Sequence, residues 1–221
     1  MKKKDWAKMI RAGENLMVEF KSQIPKLDRL ARSFSAFSNS SGGCVFFGIE
    51  DDGKPIGLKS VKGTRDLAEQ VAQFHCDPPV DAICHVWEPY PRITILVVEI
   101  PEAQMKPVHA VSPSNRKDSW PFFRSDKENL PLDKKSIKTM RRTASLEMDL
   151  DHAKMDRHSV HMLNQLHDSP RQTLNQLARS ANISSHRAKK ILVGLEHNGW
   201  IHSFFNEKRR EFSLVIPWKK R

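Results

Sequence analysis

Residues 36–58 read AFSNSSGGCVFFGIEDDGKPIGL, and this stretch decides the fold. Two glycines, Gly42 and Gly43, separate the end of a helix-like segment from the apolar run CVFFGI. Aromatic and β-branched residues without polar alternation are typical of a strand that is buried on both faces. The next residues, DDGKP, have the composition of a turn. The stretch therefore predicts a helix end, a buried strand and a tight turn, in that order.

The segments around this stretch predict an α+β fold for residues 1–142. Residues 16–21, LMVEFK, are strand-like, and apolar residues at positions 27, 30, 31, 34 and 37 have helical spacing. A second amphipathic helix covers residues 62–75. The runs VDAICHVWE and RITILVVEI are β-rich and are separated by PYP, as in a hairpin. The segment PFFRSDKENLPLDKKSIKTM then predicts a strand, a turn and a helix.

Residues 157–221 predict a second domain, a winged helix-turn-helix, after a charged linker at residues 143–156. Three amphipathic segments are followed by two alternating runs around a basic tip, which is the order of three helices and a β-hairpin. Six cations are candidates for nucleic-acid contact on the third helix and the hairpin: Arg187, Lys189, Lys190, Lys208, Arg209 and Arg210. A winged helix that contacts only protein remains the alternative.

The charge of the chain favours a polyanionic partner. The formal net charge is +11, and from residue 151 onward 13 Lys and Arg face 6 Asp and Glu, so this part carries +7. No apolar run approaches the roughly 18 residues that span a bilayer, and no apolar segment follows the basic N-terminus as in a signal peptide. We therefore expect no membrane association and a cytoplasmic location.

Two acids, Glu14 and Glu19, stand close together in residues 13–23, GENLMVEFKSQ. A separation of five residues places them on different sides of a helix or on opposite faces of a strand. Spacing alone favours two surface acids, and they converge on one site only if a turn or bulge lies between them. Gly13 makes such a turn available.

These motifs together resemble the Schlafen AlbA-like domain, which is also catalogued as a divergent AAA domain. The resemblance covers most of residues 10–142. The matching positions are Glu14, Glu19, Phe20, Lys21, Ala36, Phe37, Asn39, Gly42, Gly43, Gly48, Asp51, Gly53 and Gly57.

The resemblance implies a metal-dependent endoribonuclease that acts on structured RNA such as tRNA. Carried over by motif, the catalytic and metal-binding residues are Glu14, Glu19 and Asp51, which would hold Mg²⁺ or Mn²⁺. Lys21 resembles a basic residue that holds a phosphate. The Schlafen nucleases have two related lobes and this chain has one, so the resemblance implies a homodimer.

Two other functions stay open at this stage. Many prokaryotic members of the family look like regulators that join this domain to a winged helix, so the alternative is a non-catalytic DNA-binding transcriptional regulator. A protein-interaction adaptor is the third possibility, and the basic charge argues against it.

Overall fold

The computed structural model describes residues 5–112, 115, 118–143, 155–206, 209–215 and 217–219. The helices are α1 (Trp6–Arg11), α2 (Leu27–Asn39), α3 (Val61–Phe74), α4 (Lys134–Thr143), α5 (Arg157–Asp168), α6 (Leu174–Ser180) and α7 (Ser185–His197). The strands are β1 (Val18–Lys21), β2 (Gly43–Phe47), β3 (Cys76–Asp77), β4 (Ile83–Tyr90), β5 (Ile93–Ile100), β6 (His109–Val111), β7 (Ser119–Ser125), β8 (Glu128–Pro131), β9 (Gln172–Thr173), β10 (Ile201–Asn206) and β11 (Arg209–Leu214).

The first sheet has the strand order β1-β2-β5-β4. Strands β1 and β2 are parallel and are joined through α2, whereas the other pairs are antiparallel. All five residues of β2 are buried, as the apolar run predicted. Val45 and Phe47 face the cluster that contains α2, and Cys44 and Phe46 face a second cluster to which α1 contributes.

Helix α2 packs between this sheet and a second one of order β3-β6-β7-β8. Its last residue, Asn39, is buried and links strand segments of the second sheet. The Asn39 amide donates to the carbonyls of Val108 and Phe122 at 2.8 Å each, and its oxygen accepts from the Val108 N–H at 2.7 Å. A polar residue at the end of the helix thus satisfies backbone groups that would otherwise be buried without partners.

The two glycines after α2 are required by close backbone approach. Gly42 has a φ of +72°, and a Cβ there would lie 2.7 Å from the Ile100 carbonyl oxygen. A Cβ on Gly43 would lie 2.4 Å from the Phe37 ring and 2.7 Å from the Met17 carbonyl oxygen. The predicted turn between helix and strand is therefore present, and its residue types follow from packing.

The C-terminal part contains α5, β9, α6, α7, β10 and β11 in that order, with a three-stranded sheet β10-β11-β9. Its core includes Leu163, Leu177, Leu192 and Trp200. Most of the predicted linker, residues 144–154, lies outside the described residues.

A buried cluster joins the N-terminal and C-terminal parts. It consists of Phe123, Leu132, Met140, Phe204 and Val215. Polar contacts surround it: the Ser125 hydroxyl donates to the Ser213 hydroxyl at 2.7 Å, and Arg171 pairs with Glu128.

Within the described ranges, no helix is both long enough and apolar enough to cross a membrane.

Candidate nucleic-acid interface

Glu19, one of the three predicted metal ligands, lies on β1 and is 4% exposed. Its neighbours Val18 and Phe20 face the cluster that includes α1 residues, so the alternation of the strand turns Glu19 toward α2. There its Oε1 accepts from the Ser33 hydroxyl at 2.8 Å. The same oxygen lies 2.7 Å from the Lys21 ammonium.

The second oxygen of Glu19 pairs with a buried arginine. Arg124, on β7, is fully buried, and its Nη1 lies 2.9 Å from Glu19 Oε2. The guanidinium also donates to the carbonyls of Val18 at 3.0 Å and Asn15 at 3.2 Å, and it lies over the Phe37 ring at 4.9 Å. The ion pair therefore ties β1 to β7 across the interior of the N-terminal part.

Asn129 of β8 completes this network. Its amide donates to Glu19 Oε2 at 3.2 Å and to the Ser33 hydroxyl at 3.0 Å, and its oxygen accepts from Arg124 at 3.0 Å. Glu19, Arg124, Asn129 and Ser33 each have polar partners from other secondary-structure elements. Such full pairing is the condition under which a buried ion pair is tolerated.

The network keeps Glu19 ionised. Burial alone would raise the pKa of the Glu19 carboxyl, but the charges of Arg124 and Lys21 outweigh burial and hold the pKa below its ordinary value. Burial likewise lowers the pKa of Arg124, which Glu19 opposes. An arginine stays charged under such conditions, so the pair is ionic.

The structure gives Glu14 and Asp51 different environments. Glu14 is half-buried before β1, and its carboxylate accepts from the Phe20 N–H at 2.7 Å. Since β1 is an edge strand, Glu14 satisfies a backbone donor that no strand pairs with. Asp51 is exposed in the turn after β2.

This arrangement does not fit a bound metal ion. Among the described residues, which include all three predicted ligands, no group of three His, Cys, Asp or Glu side chains is placed to hold one. Both oxygens of Glu19 already bind cationic side chains and hydrogen-bond donors. A metal ligated by Glu19 would have to displace Lys21 from Oε1 or Arg124 from Oε2. Displacing Arg124 would leave a buried guanidinium without its ion-pair partner.

Lys21, predicted to hold a phosphate, is engaged within the protein. It is half-buried, and its ammonium also donates to the Phe20 carbonyl at 2.9 Å. The positive charge of Lys21 is therefore directed at Glu19.

The exposed side of α7 carries the predicted cations Arg187, Lys189 and Lys190. The helix begins after Ser184, whose hydroxyl accepts from the Arg187 N–H at 3.3 Å and caps the helix. The opposite side, with Ala188, Leu192 and Leu195, packs into the C-terminal core. In the described part of the chain, no carboxylate pairs with the three cations, so they are open to an external anion.

The three predicted cations of the β10–β11 hairpin differ in their surroundings. Arg209 is exposed, and Lys208 lies outside the described residues. Arg210 turns inward, where it lies 3.5 Å from the buried carboxylate of Glu196, contacts the Ser203 hydroxyl and covers the Phe212 ring. Arg210 thus stabilises the packing of the hairpin on α7.

Sequence reasoning missed Arg124, Asn129 and Glu196, which bind the predicted residues. Arg124 lies 105 residues from Glu19 in the chain. No local pattern marks such a partner, because the contact arises only when β1 and β7 approach α2 from two different sheets.

The family described as Schlafen, AlbA_2 matches residues 14–133. No curated protein matches the chain at a significant level. Among solved structures, the crystal structure of the DIP2311 protein from Corynebacterium diphtheriae is similar with 17% identity and a TM-score of 0.43, covering 70% of this chain and 34% of that one. The chain thus spans about a third of the length of that protein.

Proposed function

The chain belongs to the Schlafen AlbA_2 family, a family related to nucleic acids, and from this premise we propose that it is a DNA-binding protein whose C-terminal part is a winged helix-turn-helix. The recognition helix is α7, and the wing is the β10–β11 hairpin. The observation that carries the proposal is the row of exposed cations on α7 that no carboxylate of the described residues neutralises.

The order of elements supports this assignment. Helices α5, α6 and α7 are followed by an antiparallel hairpin, and β9 adds a third strand to it. In helix-turn-helix proteins the N-terminal residues of the second helix of the motif meet base edges. Here Ser185 and His186 occupy that position and are exposed, with Arg187, Lys189 and Lys190 beside them.

Duplex DNA suits α7 better than duplex RNA. The major groove of B-form DNA is about 12 Å wide and admits an α-helix. The major groove of A-form RNA is too narrow for side chains to read. A helix of 13 residues with one exposed side therefore favours B-form DNA as the partner of this part of the protein.

The test is a salt titration of binding. In the variant Arg187→Gln/Lys189→Gln/Lys190→Gln, the slope of log affinity against log salt should fall by about one unit for each lost phosphate contact. Fluorescence anisotropy with a labelled mixed-sequence DNA duplex measures the slope, and an RNA stem-loop serves as the second probe.

The matched control is Lys54→Gln/Lys59→Gln/Lys62→Gln, which removes three exposed cations from the turn after β2 and the start of α3. It changes the net charge equally and should leave the slope within about half a unit of wild type. Equal slopes for the α7 variant and wild type would refute α7 as the contact.

A metal-dependent endoribonuclease is the second candidate. What favours it is the family match, which spans Glu14, Glu19 and Asp51. What places it second is Arg124, which occupies the carboxylate of Glu19. Incubation with tRNA in Mn²⁺ or in EDTA tests it: we expect no Mn²⁺-dependent cleavage. Cleavage that is lost in Asp51→Ala would establish the nuclease instead.

A homodimer is part of the proposal. Strand β4 ends its sheet, and Ile83, Val86 and Tyr90 on it are exposed. Edge strands with exposed apolar side chains are templates for pairing with another chain. Light scattering should give twice the chain mass of 25.4 kDa, and a monomer mass at micromolar concentration would contradict it.

A further inference from the structure

Helix α4 carries a basic stripe that is separate from the acids Glu14, Glu19 and Asp51 and from the proposed winged helix. The stripe consists of the exposed residues Lys134, Lys135, Lys138 and Arg141, and we call it the α4 stripe. Their spacing places them along one side of the helix. The other side is apolar or buried: Ser136 and Met140 are buried, and Ile137 packs against the cluster that contains Met140. The α4 sequence, KKSIKTMRRT, contains no acidic residue.

The helix is held firmly against the C-terminal hairpin. The Ser136 hydroxyl donates to the Ser203 carbonyl of β10 at 3.1 Å. Met140 shares the buried cluster with Phe204 and Val215. The position of the α4 stripe is therefore fixed relative to β10 and β11, although α4 belongs to the N-terminal part.

The α4 stripe begins where the hairpin meets the end of α7. Lys135 Nζ lies 3.9 Å from Glu196 Oε2, and Arg210 Nη2 lies 3.5 Å from the same oxygen. One carboxylate near the C-terminus of α7 thus contacts cations from α4 and from β11. The remaining cations of the stripe extend away from it without an ion-pair partner among the described residues.

We propose that the α4 stripe is a second phosphate-binding surface, which contacts the backbone of the same nucleic acid that α7 engages. The proposal rests on the proposed DNA-binding function and extends it to the N-terminal part. Residues 134 and 141 are about 10 Å apart along the helix axis, at 1.5 Å per residue. Duplex DNA presents one charge per roughly 1.7 Å of its axis, so a stripe of this length faces several phosphates.

The charge pattern of the α4 stripe favours a polyanion as its ligand. Cations at separations of three and four residues repel one another on a helix and weaken it unless opposite charge is near. Among the described residues, the one ion pair of the stripe joins Lys135 to Glu196, and Asp133, next to Lys134, is bound to the Ser136 N–H at 2.6 Å as the cap of the helix. Phosphate contacts of this kind read no sequence, so the stripe adds affinity and orientation to what α7 selects.

The test compares two triple variants with equal loss of charge. Lys134→Gln/Lys138→Gln/Arg141→Gln neutralises the stripe and leaves Lys135, the residue that contacts Glu196, in place. Lys54→Gln/Lys59→Gln/Lys62→Gln is the control. With the labelled DNA duplex, the stripe variant should bind at least about tenfold more weakly in low salt, and its salt slope should fall by about two to three units. Circular dichroism should show the same helix content and melting temperature for both variants.

The outcomes separate this proposal from the proposed function. If wild type binds DNA and the α7 variant lowers the slope, but the stripe variant matches the control, the second surface is refuted and the DNA-binding function stands. That result would also be expected if the stripe bound an acidic protein. If wild type binds neither DNA nor RNA, both proposals are refuted.

Discussion

At the scale of single residues, the acids of the family motif are present, but their contacts in the structure are not those of metal ligands. Glu14, Glu19 and Asp51 stand where the sequence motif requires acids. The structure gives Glu19 a fully buried arginine as its partner, and Glu14 an edge-strand N–H. The acids could be predicted from the sequence, because they belong to one local motif. Arg124 could not be predicted as a partner, because it reaches Glu19 only through the packing of two sheets on α2.

The buried pair predicts a stability effect that a metal ligand would not have. Glu19→Gln removes the carboxylate that contacts the buried Arg124 guanidinium and leaves only the weaker attraction of Glu14, Asp126 and Glu128. Losing this ion pair should cost about 3 to 5 kcal/mol in the free energy of unfolding. Urea denaturation measures this cost. As a matched control, Glu14→Gln removes a half-buried charge with one backbone hydrogen bond and should cost about 1 to 2 kcal/mol.

The double variant Glu19→Leu/Arg124→Met sharpens this prediction. Removing both charges should cost less than the sum of the two single changes, because neither partner is left unpaired. Additive costs, or a Glu19→Gln variant as stable as wild type, would mean that the ion pair does not stabilise the fold, and the metal interpretation would regain support.

A second residue-scale prediction concerns His202 on β10. Its ring is buried and contacts the Phe123 ring edge to face at 5.4 Å between centroids. The pKa of His202 is lowered from 6.5 to about 4, mainly by burial and also by the charge of Lys106, while Asp133 opposes the shift. The unfolded chain therefore binds more protons than the folded one between these values, and stability rises with pH there.

His202 changes the free energy of unfolding by about 3 kcal/mol across this range. This contribution is fully present above about pH 6.5 and is lost as the pH falls toward 4. Chemical denaturation across this range should show a shallower pH dependence for His202→Phe than for wild type. The exposed His186→Asn should behave as wild type. An unchanged profile for His202→Phe would contradict the prediction.

At the scale of elements, the sequence predicted those whose signals are local. The helices α2, α5, α6 and α7 and the hairpin β4–β5 follow from periodicity and turn residues. In the segment PEAQMKPVHAV, residues 101–111, only His109–Val111 forms a strand. That strand depends on pairing with β3 and β7, which local sequence does not encode.

Two glycines test the difference between local helix propensity and tertiary packing. Gly194 lies inside α7, and a Cβ there would meet no atom within 4 Å. Gly194→Ala should therefore stabilise the protein by about 0.5 to 1 kcal/mol, because glycine is the poorer helix former.

Gly43→Ala makes the same chemical change and should act in the opposite direction. Its Cβ would lie 2.4 Å from the Phe37 ring and 2.7 Å from a backbone oxygen, so overpacking should cost at least about 1 to 3 kcal/mol. Urea denaturation of both variants measures the pair. If both variants changed the free energy of unfolding in the same direction, either the close packing at Gly43 or the free space at Gly194 would be contradicted.

At the scale of the whole molecule, the sequence predicted two domains and a linker, and this division stays a prediction. Whether the two parts fold independently is a separate question. The shared cluster of Phe123, Leu132, Met140, Phe204 and Val215 argues against independence. Its members come from residues far apart in the chain. A buried cluster that draws on both parts loses its apolar contacts if either part unfolds.

We therefore expect the protein to unfold in one transition. In calorimetry the ratio of calorimetric to van't Hoff enthalpy should be near one, whereas two independent domains would give two transitions or a larger ratio.

Phe204→Ala should lower the stability of the whole chain by about 3 to 5 kcal/mol, because it removes a large side chain from the shared cluster. Its neighbour Phe205 is 65% exposed, so Phe205→Ala is the matched control and should change stability by less than about 0.5 kcal/mol. If Phe204→Ala instead separates the melting into two transitions, Phe204 couples the two parts, and in this variant the α4 stripe and α7 are no longer held in a fixed relation. A single duplex could then engage both surfaces only at an added cost in orientational entropy.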